Sequence, residues 1–109
     1  MATITATILA GESLSNAVDL GTLQLVAIIP PAAWTPAMLT FQLSADNITF
    51  HKVAAPRSTD LFTMPCVPDY WIPFASQDFP HGVFLRIHSG HPFVPVAQAA
   101  DRVFTLVMV

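Results

Sequence analysis

The stretch MLTFQLSADNITFHKV, residues 38–53, is the part of the sequence that decides the fold. Its first half alternates apolar and polar residues, which places Leu39, Phe41 and Leu43 on one face of a strand. Residues 44–47, Ser-Ala-Asp-Asn, have the chemistry of a turn, and the alternation resumes over Ile48–Val53. The stretch therefore predicts an antiparallel β-hairpin.

Similar alternation extends along most of the chain, whereas helical patterns are limited to single turns around residue 78 and across 96–100. Proline at five positions between residues 54 and 82 restricts that region to loops and edge strands. The fold class predicted is all-β: a two-sheet antiparallel β-sandwich, jelly-roll-like, with seven to eight strands in a single domain, 1–109. The predicted strands are 3–8, 22–29, 38–43, 48–53, 83–88 and 102–109, with short edge strands at 61–64 and 70–74.

The composition indicates a protein that makes contact with other subunits. Of 109 residues, 53% are hydrophobic and only 10% are charged, against about a quarter charged in ordinary soluble domains. A chain of this length can bury a real core, but it has too few charges to cover the outside. We therefore expect some apolar surface to meet another subunit, in a homo-oligomer or a lattice.

The charge pattern argues against nucleic acid and membrane as partners. Four scattered basic residues and a net charge of −3 leave no basic stripe for phosphate contacts. The uncharged stretch 20–45 holds three prolines, so it does not predict a spanning helix. The first residues have neither the basic nor the apolar region of a secretory signal.

No catalytic, cofactor or metal site is predicted. His88 and His91 lie three apart, but no cysteine or carboxylate is near enough in sequence to complete a zinc site, so the four histidines are interpreted as exposed turn residues. No Gly-x-Ser-x-Gly motif and no glycine-rich phosphate loop is present. The single cysteine, Cys66, is interpreted as a small buried hydrophobic residue, and no enzymatic activity is expected.

Aromatic residues outside the strands are the candidates for partner contact. Tryptophan and tyrosine dominate interface energetics, and neighbouring prolines limit the freedom lost on docking. Two alternatives stay open: the rings close the ends of the sandwich, or they stack on a carbohydrate. The predicted contact residues, in the loops 30–37 and 54–80, are Trp34, Pro36, Tyr70, Trp71, Phe74 and Phe79. Phe41, Phe50, Phe84 and Phe104 lie on predicted strands and are assigned to the core.

Two segments resemble galactose-binding-type, discoidin-like sandwiches. Phe41–Phe50 is similar to the hairpin x-S-x-D-G-x-T-F of those domains, with Asn47 where glycine is usual. Asparagine is the next-best residue for the positive φ of such a turn. Phe84–Ile87 is similar to their strand Y-V/L-R-I. The resemblance implies the fold and carries no ligand residues.

The order of segments also resembles a family of short proteins encoded among the virion genes of tailed bacteriophages. The matching segments are 11–21, 31–35, the hairpin, 85–90 and 95–102, while 54–80 has no counterpart. This resemblance implies a structural virion protein: a capsid decoration or cement subunit that binds the major capsid protein or other virion proteins, or a neck or tail component. It further implies assembly in the host cytoplasm and a final location on the virion, with the capsid surface as the first expectation.

Overall fold

The computed structural model describes residues 1–55, 57–75 and 78–109, and these ranges contain strands and no helix. Accordingly, the described chain includes no helix long and apolar enough to cross a membrane. The strands are β1 (Ala2–Ile8), β2 (Val18–Asp19), β3 (Leu25–Ile29), β4 (Met38–Ser44), β5 (His51–Lys52), β6 (Met64–Pro65), β7 (Ile72–Pro73), β8 (Phe84–His91), β9 (Val94–Pro95) and β10 (Arg102–Met108). The all-β prediction is confirmed.

The strands form two antiparallel sheets, ordered β1-β10-β3-β7 and β2-β8-β4-β5, with β6 added to β4 and β9 to β8. The ladders are nested: β1 pairs with β10, β2 with β8, β3 with β7 and β4 with β5. Such nesting is a long hairpin rolled into two facing sheets, which is the arrangement of a jelly roll. The predicted two-sheet sandwich is confirmed.

The core lies between the sheets and is filled by the apolar faces that the alternation predicts. In β4, Leu39 and Phe41 are 0% and 2% exposed. β10 lies between β1 and β3. Its consecutive residues Leu106, Val107 and Met108 are buried, so both faces of the strand are covered there, while Val103 is 47% exposed. Phe50 was predicted to lie on a strand and in the core, but it lies before β5 and is only half-buried. The Arg86 guanidinium lies 3.9 Å from the centre of its ring. The fully or nearly buried residues include Ala6, Ile8, Leu25, Ile28, Leu39, Phe41, Phe79, Leu85, Ile87, Phe104 and Leu106.

The hairpin turn forms as its side chains predict. Asn47 has φ 62°, and the Asp46 carboxylate accepts hydrogen bonds from the backbone N–H groups of Ile48 and Thr49 at 2.9 and 3.0 Å. The Ser44 hydroxyl donates to the same oxygen at 2.9 Å. These bonds hold the pKa of the Asp46 carboxyl at about 2, so the turn is built around a charged group.

Several boundaries differ from the predictions. β8 continues to His91 where a turn is predicted from residue 89, because Gly90 adopts φ 88° inside the strand. The edge strands lie at 64–65 and 72–73 rather than 61–64 and 70–74. Residues 96–100 form no helical turn. The turn predicted around residue 78 falls partly on Ser76 and Gln77, which are outside the described residues, as is Pro56 of the predicted contact loop.

Candidate functional site: an apolar groove beside exposed aromatics

An apolar groove lies at one end of the sandwich, between the β3–β4 connection and the segment around β6. Its volume is about 500 Å³. No charged residue lines the groove within the described chain, and Thr63 is the one lining residue with a hydroxyl. The lining residues are Trp34, Pro36, Ala37, Met38, Thr63, Met64, Pro65, Cys66 and Pro68. Two of the predicted contact residues, Trp34 and Pro36, therefore belong to one surface.

The first wall of the groove is held rigid by Trp34 and Gln98. The Trp34 ring packs edge-on against Phe104, with centroids 5.3 Å apart, and its indole N–H donates to the carbonyl of Ala37 at 3.1 Å. Gln98, 1% exposed, clamps the backbone of Thr35: its Nε2 donates to the Thr35 carbonyl at 3.1 Å, and its Oε1 accepts the Thr35 N–H at 3.0 Å. A groove with a fixed wall loses little entropy on docking.

The second wall is the segment of β6, which pairs with the start of β4. Met38 lies opposite Pro65, and Leu39 opposite Met64. Because Met64 is half-buried and Met38 is 46% exposed, the two thioethers form an adaptable part of the surface. Methionine side chains of this kind suit a partner surface of irregular shape.

Tyr70 and Trp71 extend the apolar surface beyond the groove. They are 65% and 53% exposed. Pro68 lines the groove, and the next residue, Asp69, donates its backbone N–H to the carbonyl of Pro30 at 3.2 Å, which docks this turn against the β3–β4 connection. The structure therefore places Trp34, Pro36, Tyr70 and Trp71 at the same end of the sandwich. We call these residues and the groove the loop-end surface.

Phe74 and Phe79, the other two predicted contact residues, pack inward. Phe79 is 0% exposed and its ring centroid lies 4.9 Å from that of Phe74 and 5.1 Å from that of Phe41. Phe62 joins the cluster at 5.6 Å from Phe79. Phe79 is thus a core residue rather than a surface contact, and half-buried Phe74 supports it. Proline density alone did not distinguish a loop ring that points outward from one that closes the core.

Cys66, predicted to be a small buried hydrophobic residue, packs against the core but is only partly buried and lines the groove. Burial nevertheless raises the pKa of its thiol to about 12. At neutral pH the sulfur is therefore a protonated, weakly nucleophilic part of an apolar wall.

The histidines were predicted to be exposed turn residues, and only His81 is one. His51 is exposed but lies in β5, and half-buried His91 ends β8. His88 is 8% exposed and lies in β8, where its Nδ1 is 3.1 Å from the Gly90 carbonyl and 3.2 Å from the Thr40 hydroxyl. A proton on Nδ1 satisfies the carbonyl and leaves Nε2 facing the Ser13 hydroxyl at 3.5 Å. This is a serine–histidine contact at the limit of hydrogen-bond length, and no carboxylate among the described residues contacts the imidazole.

Metal ligands do not converge in the described part of the chain: no group of three or more histidine, cysteine, aspartate or glutamate residues is close enough to hold an ion. Polar groups in the interior are instead used structurally. Within the same ranges every buried side-chain nitrogen and oxygen has a hydrogen-bond partner. The chemistry that the loop-end surface offers is therefore apolar contact.

A third exposed aromatic ring, in addition to Tyr70 and Trp71, was missed by sequence reasoning. Phe93, 77% exposed, lies at the turn between β8 and β9, with the Lys52 ammonium 5.0 Å from its ring centre. Both line a cavity of about 420 Å³ together with Asp60 and His91. Gln98 was missed as well, because its partners are distant in sequence. A lone amide in the Ala-rich stretch 96–100 was the one available signal.

Comparison of the chain with protein-family models, with curated proteins and with solved structures found no significant match in any of the three.

Proposed function

We propose that the chain is a structural protein of a tailed bacteriophage virion, a capsid decoration or cement subunit that binds and stabilises the head. The loop-end surface is the observation that carries the proposal. It combines an uncharged groove of about 500 Å³ with two exposed rings, in a protein whose charged fraction is 10%. Exposed apolar surface of this kind marks contact with another protein.

The fold and the sequence pattern support the same role. Jelly rolls are used in viral capsid domains, although they also occur in lectins and cupins, so the fold alone is an analogy. The order of segments described above adds the resemblance to tailed-phage virion proteins. Neither argument depends on a catalytic group.

The proposed mechanism is additive burial at capsid subunit boundaries. Tyr70 and Trp71 bury their rings in the capsid lattice, and the groove receives a side chain of the major capsid protein. Because Gln98 and the β4–β6 pairing hold the backbone of the walls, little backbone freedom is lost when the groove is filled. Binding to the assembled shell alone stabilises that shell by mass action.

The first experiment is immunogold labelling of intact particles of the phage or induced prophage that encodes the chain. Gold over the heads is expected. Gold confined to the neck or tail would replace decoration by a connector or tail role, and unlabelled particles would overturn the virion proposal.

A binding assay then locates the contact. Purified particles that lack the protein are mixed with the wild-type chain, with Trp71→Ala and with Phe93→Ala as the matched control. Both variants remove an exposed ring, but Phe93 lies on a different surface. Trp71→Ala is expected to lose binding and Phe93→Ala to retain it. Equal binding by all three would refute the loop-end surface as the contact.

A carbohydrate-binding module is the second candidate, favoured by the exposure of the Trp71 and Tyr70 rings on a jelly roll. Aromatic faces of this kind stack on sugar rings. Glycan-array binding that Trp71→Ala abolishes would support this candidate, whereas a blank array would remove it.

A further inference from the structure

The sheet edges of this sandwich are protected unequally. β2, β5 and β7 lie at three edges, and each has only two residues. Each also carries a residue that discourages pairing: Asp19 in β2, Lys52 in β5 and Pro73 in β7. Short length, charge and proline are the usual devices by which proteins block an edge against further strands.

β1 lies at the fourth edge and has none of these devices. It spans seven residues, Ala2–Ile8, without charge or proline. It pairs with β10 in unbroken register from Ala2 opposite Met108 to Ile8 opposite Arg102, so no bulge twists it away. Within the described residues no strand pairs with its other side. A long, uncharged edge without a bulge is a template for another strand.

The hydrogen bonds of Thr7 show which backbone groups of β1 face outward. Thr7 donates its N–H to the Asn16 side chain at 2.8 Å, and its carbonyl accepts the Asn16 N–H at 3.2 Å. Because N–H and C=O direction alternates along a strand, the outward groups of β1 also include those of Thr3 and Thr5. Asn16 therefore caps one end of the edge, and Thr3 and Thr5 leave four outward groups without a partner in the described chain.

We propose that β1 pairs antiparallel with β1 of a second copy of this chain, in the register that places Thr3 opposite Thr5 of the partner. The symmetric contact then makes four backbone hydrogen bonds, from the N–H and C=O groups of both threonines in both copies. The cap at Thr7 excludes the register that centres on Thr5, because that register would need the Thr7 groups. The inference does not rest on the virion proposal.

Side chains in this register are complementary as well. Thr3 and Thr5 are exposed on the outer face, so each pairs with a threonine of the partner, a favourable cross-strand combination. Half-buried Ile4, which packs against the core, meets Ile4 of the second copy. A twofold contact of this kind closes at two copies, which removes the open edge instead of extending it into a fibre.

Sedimentation velocity across a wide range of concentration tests the dimer. The expected mass is twice that of the 11.8 kDa chain. Thr5→Pro is expected to weaken association at least about tenfold, since proline removes an outward N–H from each copy while an edge strand tolerates it. Thr5→Val retains the N–H and is expected to dimerise. A monomer at every concentration, or a dimer that survives Thr5→Pro, would overturn the proposal.

Disulfide cross-linking tests the register and does not depend on the proline variant. In a Cys66→Ser background, Ile4→Cys places two thiols opposite each other in a non-hydrogen-bonded pair, with Cα atoms about 4.5 Å apart. Ala2→Cys is the control, because residue 2 lies opposite residue 6 of the partner. Rapid oxidation to a covalent dimer is expected for Ile4→Cys alone. Equal cross-linking of both variants, or of neither, would refute the register.

Discussion

Phe79→Ala is expected to destabilise the protein severely although residue 79 lies outside the strands. The side chain is 0% exposed and its ring lies within 5.6 Å, centre to centre, of the rings of Phe41, Phe62 and Phe74. Truncating a buried phenylalanine to alanine costs about 3–5 kcal/mol, from lost transfer free energy and the remaining cavity. Contacts between aromatic rings add about 0.5–1.5 kcal/mol for each pair. We therefore expect a loss near the upper end of that range.

Urea unfolding followed by tryptophan fluorescence measures this loss. A domain of this size has a stability of about 5–15 kcal/mol, so the variant should unfold at a much lower urea concentration with an unchanged slope. Tyr70→Ala is the matched control: that ring is 65% exposed, and its removal should change stability by less than about 0.5 kcal/mol. A loss of unfolding free energy below about 1 kcal/mol for Phe79→Ala would contradict the assignment of Phe79 to the core, since removing a buried ring destabilises a protein by more than that.

Gly90→Ala should lower the free energy of unfolding by at least about 2 kcal/mol, from backbone strain and steric overlap. Gly90 has φ +88°, and a Cβ there would lie 2.8 Å from the carbonyl oxygen of Val94. An unchanged melting temperature in thermal unfolding would argue against this geometry. The lowered pKa of Asp46 means that the folded state binds its proton less readily than the unfolded state, so stability from this carboxylate is present at neutral pH and lost as pH falls from 3.8 toward about 2. Asp46→Asn should remove that part of the pH dependence in acid unfolding curves, and identical curves would count against the turn bonds. Cys66, with its thiol pKa raised to about 12, should react slowly with Ellman's reagent at pH 8 in the folded protein and quickly in urea; equal rates would show that the thiol is not desolvated. Ser13 should not be labelled by a fluorophosphonate probe. Its hydroxyl lies 3.5 Å from the His88 imidazole, which is too long a contact to activate a serine as a nucleophile. A labelled Ser13 peptide in mass spectrometry would reverse this expectation.

The sequence was sufficient for the fold class and the long strands β1, β4, β8 and β10, because period-two alternation is a local property, but the two-residue strands β2 and β9 were not predicted. Leu39 and Phe41 in β4 and the turn at Asn47 follow directly from it. Of the predicted contact residues, Trp34 and Tyr70 lie on the loop-end surface, whereas Phe79 points inward. That choice depends on the rings of Phe41 and Phe62, which come from other parts of the chain.

Long-range polar partners could not be predicted for a similar reason. Gln98 bonds to Thr35, sixty-three residues away, and His88 to Thr40, forty-eight away. Neither pair is marked by a sequence motif, because one amide or imidazole side chain can form hydrogen bonds with backbone or hydroxyl groups from almost any part of the chain. The extension of β8 to His91 depends on Gly90, which has a positive φ and lies against the backbone of Val94 and Val96.

The nested ladders fix the order in which this protein can fold during synthesis. The β4–β5 hairpin at the centre of the nest needs only local contacts, whereas β1 waits for β10, roughly a hundred residues later in the chain. Until Arg102–Met108 has left the ribosome, β1 and β3 lack the strand that lies between them. Pairing so distant in sequence is slow and leaves open edges exposed in the meantime. The nascent chain is therefore most prone to aggregation, and most dependent on chaperones, just before its last strand is made.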